Sequence, residues 1–155
     1  MTKDPEIDIR EAFLQLSKNA EAGFALVTVA VVDQWLQKLL LTKMEKISNT
    51  VAGRIFESFG PLYEIAPKAD MAFALGLIDD TMLSDFRVLR DIRNKFAHAD
   101  AIIYFSSEEI ALLCQKLSGW KKGADNHHLF NEIATELVQK IDAKTQEITF
   151  AKAAS

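Results

Sequence analysis

The stretch from Phe24 to Leu41 constrains this chain more than any other. It is apolar on nearly every side, yet it carries Asp33, Gln34, Gln37 and Lys38. Those polar groups are too many for a membrane span. A helix that is apolar almost all round belongs at the centre of a domain. Glu21 to Lys46 is therefore predicted as a long, buried spine helix. Only six Gly and three Pro occur in 155 residues, about half the usual share of roughly 12%, which argues against the many tight turns of an all-β chain. Apolar residues make up 49% and charged residues 26%, so the chain has the means to form a core and is not expected to be disordered. A length of 155 residues suits one domain, 1–155.

Further helices follow from periodicity and end signals. Ile9, Ala12, Phe13 and Leu16 form one stripe in a first helix over Ile7 to Ala20. Val51 to Phe59 is a short third helix, stopped by Gly60-Pro61. Pro67 suits the first turn of a fourth helix running through Ala74 to Gly76. Asp79 is a good N-cap for a fifth, ending near His98. Ala101 to Phe105 is expected to be extended. Ser106-Ser107-Glu108-Glu109 has the form of a capping box that launches a sixth helix to Leu117. After a polar break at 119–123, Asp125 to Phe150 is a final amphipathic helix. The expected fold is an all-α bundle of six to seven helices.

Eighteen Lys and Arg against 22 Asp and Glu leave a charge of −4, a poor field for nucleic acid. The N-terminal residues lack the apolar core of a signal peptide. With Cys114 the only cysteine, an intrachain disulfide is impossible. The expectation is a cytoplasmic protein.

Chemistry concentrates in residues 87–98. On a helical wheel Phe86, Leu89, Arg93 and Phe96 share one side, while Arg87, Asp91, Asn94 and His98 share the other. Arg93 thus falls on an apolar stripe, where a guanidinium needs a carboxylate partner. Asp33, among Val29, Ala30, Leu36 and Leu40, supplies a candidate. A buried Asp33–Arg93 pair joining the two helices is the expectation; the alternative is that Arg93 reaches solvent along its stem. Asp91, Asn94 and His98, at spacings of three and four, are expected to meet on one face and finish the helix. Arg87 and Arg90 offer a small anion-binding or partner-facing patch, although Asp85 and Asp91 flank them.

The segments Gly60-Pro61-Leu62, Lys68-Ala69-Asp70-Met71-Ala72-Phe73-Ala74-Leu75-Gly76-Leu77-Ile78 and Ile92-Arg93-Asn94-Lys95-Phe96-Ala97-His98 resemble the mannitol repressor family over about residues 20–118. That resemblance implies an all-helical negative regulator of a sugar-alcohol operon. It also implies action through a protein partner, as repressor or co-repressor, because the family lacks a recognisable DNA-reading module. The partner would be a transcription or sugar-uptake regulator. No basic recognition helix stands out in this chain, so direct specific DNA binding is not expected, nor is enzymatic activity. A homodimer fits a bundle of this size.

Arg93 and His98 also match the Arg-x4-His pattern of HEPN domains. There the resemblance implies a metal-independent ribonuclease, with Arg93 stabilising phosphate charge, His98 as general acid or base, and Asn94 as the neighbouring polar residue. A regular helix turns these two side chains about 140° apart, so both reach one phosphate only if the helix ends or a dimer contributes.

Other residues carry less. His127, His128 and Glu132 hold two ligand types at helical spacing but lack further ligands for a metal. Cys114 reads as a buried thiol, Ser106 and Ser107 as caps, and Trp35 as core. Trp120, beside Lys121 and Lys122, is a candidate partner anchor. No cofactor is expected.

Overall fold

A computed structural model describes residues 19–155. The first helix expected over residues 7–20 lies almost wholly outside them. Among the described residues there are six helices and no strand: α1 (Ala20–Thr42), α2 (Asn49–Phe56), α3 (Ile65–Ala74), α4 (Asp80–Ala97), α5 (Glu108–Cys114) and α6 (Asn126–Ala153). The chain is all-α. One apolar cluster, drawn from all six helices, forms the core.

α1 is the spine, packed against α3, α4 and α6. Its inner face buries Ala25, Val29, Val32, Leu36, Leu39 and Leu40. Burial on every side, however, was the wrong expectation. Leu26, Val27 and Val31 are exposed, Val27 to 65%. By length and composition alone α1 is apolar enough to cross a membrane, but its inner face does the work of a core helix.

The helix ends follow the local chemistry. Asp79 accepts a hydrogen bond from the Met82 amide (2.8 Å), and Asp125 accepts one from the His128 amide (2.8 Å), so both act as N-caps. α3 begins two residues before Pro67, which places the proline within the first turn. Gly76, at φ +71°, closes α3. The Leu77 amide reaches the Ala72 carbonyl and the Gly76 amide reaches that of Phe73, both at 2.9 Å, which is the Schellman arrangement.

Other expected ends differ: α1 stops at Thr42 instead of Lys46, and α5 at Cys114 instead of Leu117. The capping box at Ser106 does not form: Ser107 is the N-cap residue of α5, and its hydroxyl accepts from the Tyr104 amide (2.8 Å) instead of capping the helix. α2 stops at Phe56, three residues early. The cause is Gly60, where an added Cβ would lie 2.3 Å from the Arg54 carbonyl oxygen and 2.5 Å from that of Ile55. To bring Gly60 this close, Ser58 and Phe59 both take left-handed backbone angles (φ +48° and +62°). Gly60→Ala is expected to cost about 1–3 kcal/mol through backbone displacement, read as a lower midpoint in urea unfolding at unchanged m.

Residues 101–105 contain no strand. They end in Phe105, which is buried among Phe24, Phe96 and Phe130 and stacked on His127 at 4.6 Å. Its backbone is held from both sides: the amide donates to Glu21 Oε2 (3.0 Å), and the carbonyl accepts from Asn126 Nδ2 (2.9 Å). α1 and α6 are thereby tied to the loop that follows α4.

Candidate functional site

α4 carries most of the polar side chains singled out in the sequence, and packing sends them in three directions. On its outer side Arg87 pairs with Asp70 of α3 at 2.7 Å, with both groups exposed. Arg90 folds back on its neighbour Asp91 at 2.8 Å. Each arginine is thus matched by its own carboxylate, and the two do not form a joint anion patch. Such exposed pairs add little stability.

On the inner side lies a residue that the sequence reading treated only as a flank. Asp85 is buried, and its carboxylate accepts from the Ser118 amide (2.9 Å) and hydroxyl (2.6 Å). It anchors the loop between α5 and α6. Its spacing from Phe86, Leu89 and Ile92 on the buried face was the available signal.

The expected Asp33–Arg93 pair is not formed. Asp33 instead takes Lys68 of α3, Nζ to Oδ1 at 2.8 Å, and Lys68 also donates to the Tyr63 carbonyl at 3.0 Å. Lys68 is only 2% exposed. The reason is position: Ile65, Lys68, Ala69 and Ala72 are the buried residues of α3, so the lysine enters the core beside α1. Arg93 meets Glu64, which precedes α3, at 3.9 Å. That distance is longer than a hydrogen bond, and the buried Arg93 Nε has no partner among the described residues.

Two hollows result. A cleft of about 590 Å³ at the C-terminal end of α4 is lined by Asp91, Asn94 and His98, with Glu109 and Leu113 of α5 opposite. The three α4 residues share one face, as their spacing predicts. His98 is the C-cap residue of α4; its amide donates to the Asn94 carbonyl (3.0 Å). Arg93 does not line this cleft. It lines a second cavity of about 210 Å³, together with Asp33, Tyr63, Glu64, Val29 and Ile65. Arg93 and His98 therefore serve different hollows within one chain.

The remaining candidates separate similarly. His127 packs between Phe24 and Phe105, with Nδ1 3.8 Å from Glu21, whereas His128 points outward to Glu132 at 3.9 Å. The two histidines do not converge. Cys114 is fully buried, and that burial pushes its thiol up to about 11, which removes it as a nucleophile near neutral pH. Trp35 is half-buried with the Lys38 ammonium over its ring, and Trp120 stays partly exposed in the α5–α6 loop.

The outer face of α1 is the feature that the charged residues did not foretell. Leu26, Val27, Ala30 and Val31 follow one another at helical spacing and are all exposed. Beyond the Arg93 cavity the exposed aromatic pair Phe59 and Tyr63, with centroids 5.5 Å apart, adds a second apolar area. Grouped apolar exposure of this kind marks interaction surfaces.

A family model described as the mannitol repressor matches residues 8–150. This is longer than the span that the sequence segments alone suggested. Compared with curated proteins and with solved structures, the chain finds no match.

Proposed function

Since the chain belongs to the mannitol repressor family, we propose that it represses a sugar-alcohol operon of the mannitol type by binding a protein partner. It works in the cytoplasm and leaves DNA contact to that partner, a transcription or sugar-uptake regulator. The observation that carries this reading is the exposed apolar face of α1, Leu26, Val27, Ala30 and Val31, on a chain with a net charge of −4. A net charge of −4 supplies no overall positive field to draw the chain to DNA. An exposed apolar helix face can supply the desolvated centre of a protein interface.

Two measurements test the reading together. Deletion of the gene is expected to raise transcription of the sugar-alcohol operon in the native host. The purified chain, titrated at physiological salt onto a fluorescent fragment of that operon's control region, is expected to show no preference over unrelated DNA. Unchanged transcription on deletion would remove the regulatory role. Specific binding by the lone chain, in the usual range of about 10³-fold or more over non-specific DNA, would remove the dependence on a partner.

A further inference from the structure

The cavity beside Arg93 is walled by groups whose hydrogen bonding is incomplete. The buried Arg93 Nε has no acceptor among the described residues. Its Nη2 lies 3.9 Å from Glu64, longer than a hydrogen bond, and the Arg93 side chain keeps 28% of its surface in solvent. Across the cavity, Lys68 occupies Asp33 Oδ1, and no hydrogen bond within the described residues uses Oδ2. Val29 and Ile65 give an apolar floor, and the Tyr63 ring stands at the rim. A buried polar group without a partner is costly, so the one buried N–H of this guanidinium, on a cavity wall, points to a missing acceptor.

The character of that acceptor follows from the wall. An anion would suit Arg93 but would face the carboxylates of Asp33 and Glu64. A cation would suit the carboxylates but would face Arg93, with the Lys68 ammonium behind Asp33. A hydroxyl meets both demands, because it accepts from Arg93 and donates to a carboxylate. Two or more hydroxyls on adjacent carbons would span the charged groups while their C–H faces rest on Val29, Ile65 and the Tyr63 ring. At about 210 Å³ the cavity is smaller than the roughly 300–1,000 Å³ of pockets for drug-sized molecules.

We propose that this cavity, between α1, the start of α3 and α4, is the binding site for a small neutral polyol that acts as the regulator's effector. The proposal rests on the sugar-alcohol reading above and supplies its missing signal. Glu64 is exposed and only loosely held by Arg93, so it can swing to admit the ligand. Occupation would draw Arg93 and Asp33 together across the α1–α4 contact, in a cavity whose wall also includes Leu26 and Ala30 of the exposed face.

The test is calorimetric titration of the full chain with D-mannitol, L-alanine and inorganic phosphate as neutral, zwitterionic and anionic probes. Mannitol is expected to bind saturably, and the other two are not. Arg93→Met removes the guanidinium. Ala30→Met fills the cavity from its wall without touching a charge. Each is expected to weaken mannitol binding at least tenfold, with helical content by circular dichroism unchanged. Arg87→Met, whose partner Asp70 lies elsewhere, should leave binding as it was. Absence of saturable mannitol binding would overturn the proposal. So would binding that survives both cavity variants, or a preference for alanine or phosphate. If mannitol fails to bind while gene deletion still raises operon transcription, the effector site falls and the regulatory reading stands. If mannitol binds while deletion changes nothing, the site stands and that reading falls.

Discussion

Asp33→Ala is expected to destabilise the protein by about 3–5 kcal/mol, the range found when one partner of a buried ion pair is removed. The reason lies in the other partner. Lys68 is 2% exposed, and its ammonium has two acceptors, Asp33 Oδ1 and the Tyr63 carbonyl. Without the carboxylate, a positive charge stays inside the bundle with a single neutral acceptor. The reverse change, Lys68→Ala, should cost less in charge, since the Asp33 side chain is 30% exposed and regains water. Removing both charges with Asp33→Ala and Lys68→Met should recover most of the loss, because a buried pair replaced by apolar groups is often neutral or better. Urea unfolding of the two single variants and the double variant gives the coupling directly. Equal stability of Asp33→Ala and wild type would show that the pair does not hold α1 to α3.

Phe105→Ala is expected to cost a similar amount, about 3–5 kcal/mol, the usual range for emptying a buried phenylalanine site. Its ring fills the space between Phe24 of α1, Phe96 of α4 and Phe130 of α6, with His127 stacked on it. No other residue of the 99–106 segment is buried. Emptying the site should also release that segment, even though Glu21 and Asn126 still hold the Phe105 backbone. Hydrogen exchange should quicken there more than in α3, which lies far from the ring. Differential scanning calorimetry gives the global effect, and exchange gives its location. Uniform quickening across all helices would contradict the local account.

The helices were legible in the sequence because their ends are written in side-chain chemistry. Asp79, Asp125 and Gly76 cap or close helices as their residue types require. The α2 end was not legible, since Gly60 is needed for a close approach to Arg54 and Ile55 that only the folded turn creates. The site was half legible. Arg93 and Asp33 both stood out as charges on apolar stripes, and both do line one cavity. Their pairing was misread because the wheel compared α1 with α4 alone. Lysine is almost never buried unless paired, so Lys68 does not suggest itself as the partner of a core carboxylate. Yet it follows Ile65 by three positions and precedes Ala72 by four, a core spacing that would have revealed it. The open face of α1 was hidden for another reason. An all-round apolar helix predicts burial, and no pattern within the helix says which side its neighbours leave uncovered.

That open face carries the central claim, that repression runs through a protein contact on α1. The most direct measurement is operon transcription in a deletion strain complemented with Val27→Glu/Val31→Glu. Both side chains are exposed, so the variant should fold with near-native stability and accumulate normally, while placing two charges at the interface centre. The predicted result is transcription as high as in the uncomplemented deletion. Full repression by this variant, at wild-type abundance, would contradict the claim.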